Sequence, residues 1–111
     1  SLKKMDYLVT NERLLWLAKY ENVDDTIIVN IYNAFYVTCR DMKKKWIPQL
    51  DKKDQTVAYK LLNDSLLKFK KNFNWKYLKG ASVRTKIKFG LFLMSIRCSL
   101  VGVGMFYYAS K

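Results

Sequence analysis

Apolar residues recur every three or four positions along four stretches of this chain, a spacing that gathers them on one side of a helix and so predicts four helices. Ser1 can cap the first, which runs to about Tyr20 with Leu2, Met5, Leu8, Val9, Leu15 and Trp16 on one side. Glu12 falls inside that apolar arc. A buried carboxylate is costly unless paired, so Glu12 is expected either half-exposed beside Arg13 or in an ion pair with Arg40 or Arg97. Glu21 to Asp24 breaks the pattern. Asp24 is a good N-cap, with Val23 before it and Ile28 four residues on as a hydrophobic staple. The second helix then runs to about Trp46 on the stripe Ile28, Tyr32, Phe35, Cys39, Met42 and Trp46, with Ile31 alongside. Ile27 to Val37 is β-branched and aromatic enough for a strand, but its period is helical. Lys43, Lys44 and Lys45 occupy the last turn, where cations suit the helix dipole, and Pro48 stops the helix. Asp51 or Asp54 caps a third helix to about Lys71, with Ala58, Leu61, Leu62, Ser65, Leu66, Phe69 and Phe73 facing inward. An aromatic and basic connection, Asn72 to Ser82, follows. Gly80 permits its turn and Ser82 caps the last helix.

That last helix, Ser82 to Ala109, is too apolar for an ordinary surface helix, since Arg97 is the single charge after Lys88 within it. Ile87, Leu91, Met94, Cys98, Val101 and Met105 form one stripe. Phe89, Phe92, Leu93, Ile96, Leu100, Val103 and Tyr107 form another, roughly opposite. Two apolar faces need two partners: the rest of this chain, and a further protein surface, a second copy, or lipid. A membrane span needs about 20 apolar residues, which this segment nearly supplies, but Arg97 at its centre costs roughly 2.5 to 3.5 kcal/mol on insertion. A helix lying in the interface would carry a basic face along its length, whereas Arg84, Lys86 and Lys88 are confined to its start. The plainest reading is a core helix that also docks on another domain. Short connections imply antiparallel neighbours, so the expected fold is all-α, a bundle of about four helices with a long, very apolar C-terminal helix, forming a single domain over residues 1–111.

Charge sharpens this picture. The net charge is +12, and all nine acids lie at or before Asp64, so Ser65 to Lys111 holds ten Lys or Arg and no Asp or Glu. A solvated basic face would normally carry some acids. Their absence favours an anionic neighbour, either phospholipid headgroups or nucleic acid. Lys43 to Lys45 read equally as a solvated helix end or as a phosphate-binding patch. Lys68 to Lys79, where bases alternate with aromatics, would also suit single-stranded nucleic acid, although helical amphipathicity already accounts for most of those aromatics.

Catalytic signatures are mostly absent. With no His in the chain, Ser/His/Asp and Cys/His triads and His metal sites are excluded, and there is no P-loop, G-x-G-x-x-G or C-x-x-C. Asp24 and Asp25, the adjacent carboxylates, read as a helix cap before a metal site. Cys39 and Cys98 each fall on an apolar stripe, where a reduced thiol behaves as a small hydrophobe; a disulfide between them is the other reading. The start at Ser1, with neither initiator Met nor signal peptide, suggests a piece of a longer protein.

The opening Ser1-Leu2-Lys3-Lys4-Met5-Asp6, then Asn11-Glu12-Arg13, and the closing Ser82-Val83-Arg84-Thr85-Lys86-Ile87-Lys88-Phe89 with its apolar tail carry a likeness. Together they resemble the helical C-terminal extension of bacterial family 2 glycosyltransferases, the portion after the nucleotide-sugar-binding GT-A domain. The resemblance implies a parent enzyme that moves a sugar from a nucleotide-sugar to a cell-surface glycan at the cytoplasmic, inner face of the bacterial membrane. Its Asp-x-Asp motif, divalent metal, nucleotide-sugar and carboxylate base would all belong to the catalytic domain. No catalytic, cofactor-binding or metal residue carries over to this chain, which is expected to be inactive alone.

The expected function is therefore an accessory domain serving docking, dimerisation or membrane contact. Its expected partners are the catalytic domain of the same chain, a second copy, or an anionic membrane, with Lys76, Lys79, Arg84, Lys86 and Lys88 as the contact residues. Two alternatives stand beside it: a free-standing helical interaction module, and a small basic nucleic-acid-binding protein, the partner this pattern favours least.

Overall fold

Asp24 and Asp51 fix where two of the helices begin. The Asp24 carboxylate accepts the Thr26 N–H at 3.2 Å, and the Asp51 carboxylate accepts that of Asp54 at 2.8 Å, so Asp51 is the cap. The computed structural model describes the backbone of residues 2–109 and the side chains of residues 2–96. The described residues are all-helical, with four α-helices among them: α1 (Asp6–Tyr20), α2 (Asp25–Asp41), α3 (Lys52–Asn72) and α4 (Val83–Ala109). It divides into two compact units, Ser1–Lys79 and Gly80–Lys111. The expected Ser1 cap lies outside the described residues, as do the side chains of Arg97 and Cys98 and the two stripes beyond Ile96.

In the first unit a 3₁₀ turn, Leu2–Met5, leads into α1 without a side-chain cap. The helix ends in a Schellman motif: Asn22 adopts φ 55°, its N–H reaches the Lys19 carbonyl at 3.3 Å, and the Val23 N–H reaches that of Ala18 at 3.2 Å. Asparagine tolerates the left-handed conformation that this motif requires. The 3₁₀ turn buries Met5, and α1 buries Leu8 and Ala18 and leaves Val9 and Trp16 exposed, against the expectation that both face inward. The helix is apolar on nearly every side, so periodicity alone does not select the buried face. Glu12 is exposed and pairs with Lys68 of α3 at 3.5 Å, not with Arg40, which sits 3.8 Å from its own neighbour Asp41. A pair this exposed contributes at most about 1 kcal/mol.

α2 buries Ile28, Tyr32, Phe35 and Cys39, as its stripe requires. It does not continue to Trp46 as regular helix. Met42–Trp46 forms a π turn, in which the Ile47 N–H donates to the Met42 carbonyl, five residues back. The extra residue advances the register, so Ile47 is fully buried where Trp46 was expected, and Trp46 is half-buried. A 3₁₀ turn, Ile47–Gln49, with Pro48 inside it, ends the run. α3 then buries Ala58, Leu62, Leu66 and Phe69, while Leu61 is exposed. The core closes on stacked aromatics: Phe35 and Phe69 lie 4.4 Å apart at 12°, and Tyr32 meets Phe69 edge-on at 5.3 Å.

In the second unit the Ser82 hydroxyl accepts the Thr85 N–H at 3.2 Å, the cap expected for α4. Ile87, Leu91 and Met94, three members of one apolar stripe, are 57%, 62% and 62% exposed, whereas Phe89 and Ile96 of the opposite stripe are buried. Among the described residues no helix is long and apolar enough to cross a membrane.

Cys39 is a free buried thiol, and burial pushes its pKa up to about 12 despite the pull of the Lys43 ammonium. The folded thiol holds its proton more tightly than the unfolded one. Its contribution to stability is therefore fully present below the ordinary value of 9.0 and is lost as the pH rises toward about 12. Urea midpoints are expected to fall between about pH 8 and about pH 11, and to fall less steeply in Cys39→Ala. Equal slopes in the two proteins would show that the thiol does not contribute.

Candidate functional site

The connection after α3 is built around one hydroxyl. Phe73 leaves the helix extended, with ψ 135°, and Asn74 caps a 3₁₀ turn, Trp75–Leu78, its carboxamide oxygen accepting the Lys76 N–H at 3.0 Å. The Asn74 N–H itself donates to the Tyr32 hydroxyl at 3.3 Å. Tyr32 is fully buried, and its ring also packs on Phe73 at 4.6 Å and on Tyr77 at 6.3 Å. Burial raises the Tyr32 pKa; the Asn74 hydrogen bond works the other way and Tyr77 adds to the rise.

Lys19, at the end of α1, completes this corner. Its ammonium donates to the Asn72 carbonyl at 3.1 Å, capping the C-terminus of α3, and lies 5.5 Å from the Tyr77 ring and 5.8 Å from that of Tyr32. Burial lowers the Lys19 pKa, and the nearby Lys76 lowers it further. With Phe73, Tyr77 and Leu78 turned inward, the outward positions of the turn fall to Trp75 and Lys76, with Lys79 following. Trp75 is 47% exposed, and its ring meets Phe73 edge-on at 5.0 Å.

The basic residues singled out from sequence thus divide. Lys76 lies within the 3₁₀ turn of the first unit and Lys79 just after it, both exposed; the Lys76 ammonium lies 5.0 Å from the Tyr77 ring. Arg84, Lys86 and Lys88 stand on α4 in the second unit. Arg84 and Lys88, four residues apart, share a side of the helix, and Lys86 is about 160° round from Lys88. Lys88 lies 5.2 Å from the Phe89 ring. Of the aromatics between Lys68 and Lys79, Phe69 is buried and Phe73 and Tyr77 are half-buried, which leaves Trp75 as the exposed ring for a nucleobase to stack on. Sequence reasoning missed Lys19 and Tyr32 as the residues that shape this corner. Nothing in the sequence marks Lys19 beyond its place near a helix end, and Tyr32 is one of several apolar stripe positions.

Among the described residues no three His, Cys, Asp or Glu side chains converge on a point that could hold a metal ion. An open groove of about 580 Å³ runs beside α1, lined by Val9, Glu12, Arg13, Trp16, Lys19 and Asn72 among others; Glu12 and Arg13 are exposed there and Lys19 is half-buried. No family model, curated protein or solved structure matches the chain.

The Tyr32 hydroxyl accepts the Asn74 N–H, so Tyr32→Phe is expected to cost about 1 to 2 kcal/mol of stability in urea unfolding. An unchanged midpoint would mean that the Asn74 N–H finds another acceptor.

Proposed function

We propose that this chain is an accessory helical module of a membrane-associated glycosyltransferase, holding its parent enzyme against an anionic membrane at the cytoplasmic face. The observation that carries the membrane part is the outward set Trp75, Lys76 and Lys79, on a turn held by Tyr32, in a half of the chain that has no acid after Asp64. A tryptophan beside lysines suits the headgroup region, and each basic side chain near an anionic surface adds about 1 kcal/mol. Arg84, Lys86 and Lys88 would add to the same attraction. The long, very apolar C-terminal helix supplies the docking part through Ile87, Leu91 and Met94, against the catalytic domain. The resemblance to glycosyltransferase extensions is what ties the module to that enzyme class, and the donor nucleotide-sugar and metal would be held in the catalytic domain.

A free-standing interaction module is the second reading, favoured by the large apolar side chains that α1 leaves exposed. An Asp-x-Asp motif in a nucleotide-binding domain encoded before Ser1 would decide for the first. For the membrane contact, co-sedimentation with vesicles containing phosphatidylserine is expected to exceed that with neutral vesicles. It should weaken with salt and drop in the Lys76→Glu/Lys79→Glu variant. Equal binding to neutral and anionic vesicles would overturn the proposal.

A further inference from the structure

The π turn after α2 shapes a groove as well as a register. By sending Ile47 into the core it leaves Trp46 half-buried at the rim, facing the 3₁₀ turn that precedes α1. An open groove of about 370 Å³ lies there, lined by Lys3, Lys4, Met5, Trp46, Ile47 and Leu50; Gln49, which completes the lining, is neutral. Its floor is aliphatic, with Met5 and Ile47 buried and Leu50 half-buried. The indole is already engaged, since the Lys4 ammonium lies 4.9 Å from its centre and the Tyr7 ring lies 5.7 Å away. Leu50 is held from α3, where the Gln55 carboxamide donates to its carbonyl at 2.9 Å.

We infer that this groove binds a phosphate ester with a short aliphatic body. Lys3 and Lys4 are exposed at its edge, and its lining holds no acid. The grooves that contain Lys68 or Lys19 each contain Glu12 as well. Asp6 and Asp51, next in the chain to Met5 and Leu50, do not line it, and the Asp51 carboxylate is turned to the Asp54 N–H. Two ammonium groups match the charge of about −2 on a phosphate monoester, and lysine binds phosphate as a point charge. The body of the ester lies on Met5, Ile47 and Leu50. Aliphatic side chains, beside an indole that two groups already contact, suit an alkyl chain better than a stacked base. The volume is within the range of about 300 to 1,000 Å³ usual for small-molecule sites. Lys43 to Lys45 precede Trp46 on the π turn but do not line the groove, so recognition rests on Lys3 and Lys4.

The inference is independent of the membrane reading. The groove stands at the N-terminal end of α3 and the Trp75 turn at its C-terminal end, about 30 Å away along a helix of 21 residues. Calorimetric titration of the 111-residue chain with inorganic phosphate and with ethyl, butyl and hexyl phosphate tests it. Affinity should rise along the series, by up to about fourfold for each methylene buried, so that hexyl phosphate binds at least about tenfold more tightly than inorganic phosphate. Lys3→Glu/Lys4→Glu should weaken hexyl phosphate by about tenfold or more, while Lys76→Glu/Lys79→Glu leaves it unchanged. Lys3 and Lys4 are both exposed, and circular dichroism of the variant checks its fold. In proton–nitrogen correlation spectra, hexyl phosphate should move the indole N–H signal of Trp46 and not those of Trp16 and Trp75. Co-sedimentation of Lys3→Glu/Lys4→Glu with phosphatidylserine vesicles then distinguishes the source: a loss shows a bilayer phospholipid reaching the groove, and no change shows a soluble ester. Hexyl phosphate binding no more tightly than inorganic phosphate would overturn the inference. So would tighter binding of adenosine monophosphate, indifference to the change at Lys3 and Lys4, or a shift confined to Trp16 or Trp75.

Discussion

The first unit depends on a single buried tyrosine. Tyr32 presents its ring to Phe69 and Phe73 of the α3 end and to Tyr77 of the following turn, and its hydroxyl to the Asn74 backbone. A phenylalanine could supply the packing and a serine the acceptor, but neither could supply both from one position on α2. The ring ties three successive pieces of chain to one helix, and the hydroxyl fixes the direction in which the chain leaves α3. Lys19 follows from this arrangement. Its ammonium can lie over two rings and reach a helix-end carbonyl because Tyr32 has already brought Tyr77 and Asn72 together.

Where polar and apolar positions alternated cleanly, the sequence was a sufficient guide. The stripe Ile28, Tyr32, Phe35, Cys39 and Met42 is the buried face of the second helix and its continuation, and Ala58, Leu62, Leu66 and Phe69 are that of the third. The caps Asp24 and Ser82 were legible because a short polar side chain before an apolar run has few other uses, while Asp51 was one of two candidates until its bond to the Asp54 N–H decided between them. Other features were not legible, and three of them show the physical reason. α1 has too many apolar residues for its period to select a face, so Val9 and Trp16 were assigned inward and Ala18 was missed. The 3₁₀ turn at Trp75 is shorter than any period that could announce it. The partner of Glu12 depends on how helices meet, which brings Lys68 rather than Arg40 within reach.

For the candidate site the lesson differs. The basic character of the second half of the chain could be read directly, since it follows from counting charges. Which of those bases face outward from one rigid turn could not. That selection depends on Phe73, Tyr77 and Leu78 taking the inward positions, and so on the aromatic cluster beneath them. Composition gives the sign of the surface charge, while packing decides which side chains carry it outward.

The π turn after α2 has a consequence for how this chain can vary. Lys43, Lys44 and Lys45 point into solvent, so packing places no demand on which residues they are. Their number is another matter. Deleting one would let the helix continue with its ordinary period and swing an indole into the space that the isoleucine side chain at 47 now fills, an overpacked arrangement. Drift at these three sites can change letters freely, but the spacing between Met42 and Ile47 is held.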